Sequence, residues 1–69
     1  MIKIKEFGRM LKNIRLGNNL NQEDVEFLTG ISTRSLSRLE NGNIKNISVD
    51  NLIELSSLYG EDLLDIYYK

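Results

Sequence analysis

Neither cysteine nor histidine occurs in this 69-residue chain. Disulfides and thiolate metal sites are thereby excluded, and the side chain best suited to proton transfer near neutral pH is missing. With no Gly-rich phosphate loop and no evident nucleophile–base pair either, the chain is expected to be no enzyme and to carry no metal or other cofactor. Proline is absent too, so punctuation falls to glycine and to Asn/Ser caps. No apolar run approaches the roughly 20 residues a bilayer requires, and Met1-Ile2-Lys3-Ile4-Lys5 opens no stretch of signal-peptide length. The expected setting is cytoplasmic, with no membrane partner.

A chain this short makes one domain, residues 1–69, and buries only about 60% of the surface its unfolded form exposes. The formal net charge is −1, which by itself argues against nucleic acid. Its distribution is polar, however. Lys3, Lys5, Arg9, Lys12 and Arg15 face only Glu6 in the first 19 residues, whereas Asp50, Glu54, Glu61, Asp62 and Asp65 face only Lys69 after Ile47. One end can meet phosphates while the other meets solvent or protein.

The apolar residues recur at helical spacing, and no alternating run supports a strand. Ile4, Phe7, Leu11 and Ile14 mark one side of a first helix, closed by Gly17-Asn18-Asn19. Lys5, Arg9 and Lys12 form another stripe on it, either a solvated face or a set of phosphate contacts. Three later helix starts share one pattern, in which an apolar residue precedes a polar cap and a second apolar residue follows four positions into the helix. The triplets are Leu20-Asn21-Val25, Ile31-Ser32-Leu36 and Ile47-Ser48-Leu52. The second helix is expected over 22–29 with Gly30 as its left-handed terminator, and the third runs from Ser32 to Asn41-Gly42. After a loop over 43–47, a fourth helix carries Leu52, Leu55 and Leu58 to Gly60, and a fifth carries Leu63, Ile66 and Tyr67. The leucines and isoleucines read as core. With Leu64 and Tyr68, the last helix holds more apolar surface than one short face can bury, which suits a dimer contact or a further C-terminal region.

Two short helices joined by a tight Gly-containing turn make a helix-turn-helix. Gln22-Glu23-Asp24-Val25, Leu28, Gly30-Ile31-Ser32, Leu36 and Leu39-Glu40-Asn41-Gly42 together resemble the phage repressor and Cro-like (Xre-like) helix-turn-helix family. The resemblance extends from about Phe7 to Ile66. It implies an all-α fold of five helices and sequence-specific binding of double-stranded DNA as a transcriptional regulator, with the third helix in the major groove. It implies base-edge contacts for Thr33, Arg34, Ser37 and Arg38. Backbone contacts fall to Asn21, Gln22 and Ser32 at the two helix starts, and to Asn41, Asn43, Lys45 and Asn46 after the third helix. Arg15 and Glu40 match an internal ion pair. One domain reads only a few base pairs, so a homodimer on a two-fold operator is expected. Some members of this length head longer regulators with a C-terminal effector or dimerisation region. Glu26 departs from the pattern, since a small residue usually packs there, and its carboxylate needs solvent or a partner such as Arg34 or Arg38. A rival from another class is a protein-interaction module that keeps the fold and has lost DNA binding.

Overall fold

The computed structural model describes residues 1–69. It contains five helices and no strand: α1 (Ile4–Gly17), α2 (Gln22–Thr29), α3 (Thr33–Glu40), α4 (Val49–Tyr59) and α5 (Leu63–Tyr68). The caps set most of these bounds. Asn21 Oδ1 accepts from the Asp24 amide at 2.7 Å while Asp24 Oδ2 accepts from the Asn21 amide at 2.9 Å, a reciprocal capping box. Ser32 Oγ accepts from the Ser35 amide and Ser48 Oγ from the Asn51 amide. Gly30 closes α2 in the left-handed conformation. At the end of α1 it is Asn19, not Gly17, that turns left-handed (φ 59°). Asp62 starts α5, its Oδ1 accepting from the Asp65 amide at 3.1 Å.

α1 and α2 both pack on α3, and α4 packs on α2 and α5. Between them lies one core containing Phe7, Leu11, Val25, Leu36, Leu52, Leu55 and Leu63, all fully buried, with Ile31, Leu39 and Ile47. The residues that flank the Ser32 and Ser48 caps are thus buried in both cases, while Leu20 is half-buried. Each buried side chain of this size contributes roughly 1.5–3 kcal/mol by leaving water.

Three expectations about the core need correction. On α4 the third buried residue is Tyr59 (8% exposed), and Leu58 is only half-buried. The spacing 52, 55, 59 follows the 3.6-residue period as well as 52, 55, 58 does, and the larger ring fills the end of the core. Leu16, Leu28 and Ile53 are about half exposed, at 52%, 54% and 49%, so not every aliphatic residue reports core. The apolar excess expected at the C-terminus is also smaller than its composition suggests. Tyr67 is buried with its ring centroid 4.9 Å from that of Phe7, Leu64 and Ile66 pack against the core, and Tyr68 is left at the surface.

Candidate nucleic-acid interface

α3 divides its residues between two sides. Leu36, Leu39 and Glu40 are buried, whereas Arg34 and Arg38 are exposed and Thr33 and Ser37 half-exposed. The exposed set follows from spacing, because 33 and 37, like 34 and 38, lie one turn apart on the same side of a helix. Neither arginine belongs to an ion pair, since the molecule's two are Arg15–Glu40 and Lys69–Asp65. Glu26 is exposed, so its carboxylate reaches solvent, and it makes no ion pair with Arg34 or Arg38. Arg38 Nη2 does lean on the loop, donating to the Asn43 carbonyl at 3.4 Å. A bond that long at the surface is weak enough to exchange for a better acceptor.

The groups flanking this face are fixed to different degrees. Asn21 and Ser32 are occupied as caps: the Asn21 side chain and amide both bond Asp24, and Ser32 Oγ bonds the Ser35 amide and donates to Ser35 Oγ at 2.9 Å. The amides of Gln22 and Glu23 remain, as the first N–H groups of α2, pointing out of the helix start with its partial positive charge. Asn41 Nδ2 donates to Ser37 Oγ at 3.4 Å, tying the end of α3 to its exposed side. Asn43, Lys45 and Asn46 are exposed on the loop, whose course is set by the Asn43 amide donating to the Arg38 carbonyl at 2.8 Å. Asn46 also lines a cavity with Ser35, Arg38, Ser48 and Asn51 between α3 and the start of α4.

Beneath the face, Arg15 on α1 and Glu40 on α3 meet as a fork. Arg15 Nε donates to Glu40 Oε2 at 2.8 Å and Nη2 to Oε1 at 3.0 Å, and both residues are buried. The third guanidinium nitrogen donates to the Leu20 carbonyl at 3.0 Å, which anchors the turn before α2. Gln22 Nε2 then donates to Glu40 Oε1 at 3.2 Å. An amide nitrogen has two hydrogens, so Gln22 keeps one for a ligand while the other holds it in place. Hydrogen bonding to Glu40 raises the Arg15 pKa above its ordinary value despite the opposing cost of burial.

Sequence reasoning missed two members of this arrangement. The Asn-x-x-Asp spacing at 21 and 24 was a legible capping signal. Tyr59 gave no signal of its own. Its hydroxyl is buried without a hydrogen-bond partner, and burial, aided by the charge of Glu40 and opposed by that of Arg15, pushes its pKa up to about 12.

No helix is long and apolar enough to cross a membrane. A helix-turn-helix family model, HTH_3, matches residues 11–66, most of the chain and all of α2 and α3. No curated protein and no solved structure gives a significant match. With its all-helical order, its capped α2–turn–α3 unit and this match, the chain belongs to the Xre/Cro-like helix-turn-helix family of DNA-binding transcriptional regulators.

Proposed function

We propose that the protein binds double-stranded DNA sequence-specifically, with α3 in the major groove, and regulates transcription inside the cell by occupying an operator. The observation that carries this reading is the division of α3, which exposes Arg34 and Arg38 opposite a buried face, flanks them with half-exposed Thr33 and Ser37, and leaves both arginines without a carboxylate. An arginine fork matches the two acceptors of guanine, O6 and N7. The amides at the start of α2, the free hydrogen of the Gln22 amide, and Asn41, Asn43, Lys45 and Asn46 surround this face as backbone donors. Two copies on a two-fold site supply the length of sequence that one copy lacks.

The rival, an interaction module without DNA binding, draws on Phe27 and Leu28, exposed on α2 at 89% and 54%. Selection from a random DNA pool followed by gel retardation separates the two. Under the DNA reading a common, partly palindromic sequence emerges, and its affinity falls steeply between low and physiological salt. Failure to retard any DNA at low salt would favour the rival.

A further inference from the structure

Away from the exposed side of α3, one cleft gathers three cations. Lys5, Arg9 and Lys12 line it with Glu40 and Asn41, enclosing about 240 Å³ where α1 crosses the end of α3. The crossing is held at backbone distance. A Cβ on Gly8 would strike the Leu39 carbonyl oxygen and lie 2.7 Å from that of Glu40, and one on Gly42 would lie 2.7 Å from Lys5 Cγ. The cationic stripe of α1 is therefore fixed beside Asn41.

No carboxylate is ion-paired with it. None of the three cations takes part in either ion pair. The only acid in the lining, Glu40, already accepts from Arg15 and Gln22. The carbonyl end of α3 attracts cations as well, but it amounts to roughly half a charge, too little to balance three. Asn41 then joins the cleft to the recognition side through its bond to Ser37.

We propose that this cleft seats a phosphate group supplied by the DNA backbone, with Arg9, Lys12 and the Asn41 amide as its donors and Lys5, on α1 against Gly42, adding to the field. The proposal rests on the DNA reading above and extends the footprint onto α1. Its test compares the wild type with the double variant Arg9→Gln/Lys12→Gln, and with Lys69→Gln as a charge control remote in sequence. The first readout is the salt dependence of DNA affinity, and the second is amide and side-chain NMR shifts on adding inorganic phosphate against chloride at equal ionic strength.

Removing two phosphate contacts lowers the log–log salt slope by about 1.8, so that a fourfold rise in salt costs the double variant about 12-fold less affinity than it costs the wild type. The weakening is uniform across sequences, Lys69→Gln leaves the slope unchanged, and phosphate shifts localise to Arg9, Lys12 and Asn41. A slope unaltered in the double variant overturns the DNA backbone as the source, and flat phosphate titrations with it overturn the cleft altogether. A lowered melting temperature with an unchanged slope likewise overturns the proposal, since the cations would then serve only the end of α3. If the wild type retards no DNA, the DNA reading itself fails, and the phosphate titration alone decides whether the cleft holds an anion.

Discussion

Arg15 grips both carboxylate oxygens of Glu40 from 25 residues away, and the same carboxylate holds the side chain of Gln22 at the start of α2. One buried fork thereby fixes α1, α2 and α3 together. Removing either member leaves the other as an uncompensated buried charge, which costs about 3–5 kcal/mol. A chain this size is expected to hold only about 3–10 kcal/mol in all. Urea unfolding of Arg15→Ala and Glu40→Ala is expected to show a collapse of the midpoint, while the paired replacement Arg15→Met/Glu40→Leu recovers much of the loss. A loss below about 1 kcal/mol in the single variants would be the behaviour of an exposed pair and would contradict the burial described.

Tyr59 provides the pH dependence. Its pKa of about 12 in the fold exceeds the ordinary 10.0, so the unfolded chain releases this proton first as pH rises. The contribution is complete below pH 10 and is lost between pH 10 and 12, amounting to at most about 2–3 kcal/mol. Tyr59→Phe removes the titration together with an unpartnered buried hydroxyl. The variant is expected to be at least as stable as the wild type at pH 7 and clearly more stable at pH 11, measured as urea midpoints. Equal alkaline loss in both proteins would show that other groups carry it.

The crossing of α1 over α3 depends on the missing side chain of Gly8. Because the obstruction is backbone carbonyl oxygen, which cannot rotate away, Gly8→Ala is expected to destabilise by at least about 1–3 kcal/mol. An unchanged urea midpoint would mean that the helices separate at no cost.

The helices were legible because their signals are local. Apolar period, cap and terminator for α2 all lie within ten residues, and the start and end of that helix fall where Asn21 and Gly30 put them. Which apolar residues fill the core was less legible, since Leu58 and Tyr59 sit on adjacent sides of one helix and only the packing of α2 and α5 against it decides between them. The exposed face of α3 follows from spacing once Leu36 and Leu39 are known to be inside. The stripe of Lys5, Arg9 and Lys12 was legible, and the Arg15–Glu40 match brought α1 to the end of α3, but the meeting of that stripe with Asn41 was not, because the close approach at Gly8 is visible only when Leu39 and Glu40 stand beside it. The capping roles of Asn21 and Ser32 were legible from the apolar–cap–apolar triplets, whereas the reciprocal bond with Asp24 was found only in the structure.

If α3 reads bases while its margins hold the backbone, as proposed above, groups in these two roles fail differently. The most direct measurement is the affinity of Arg34→Ala, Arg38→Ala, Gln22→Ala and Lys45→Ala for a panel of single-base operator changes, after circular dichroism confirms folding. An arginine on guanine contributes about 1–3 kcal/mol of discrimination, so each arginine variant is expected to lose preference at one or two operator positions. Gln22→Ala and Lys45→Ala are expected to weaken every sequence alike, with Lys45→Ala also lowering the salt slope by about one. If both arginine variants instead lose affinity equally for every sequence, α3 grips backbone and reads nothing, and the account is contradicted.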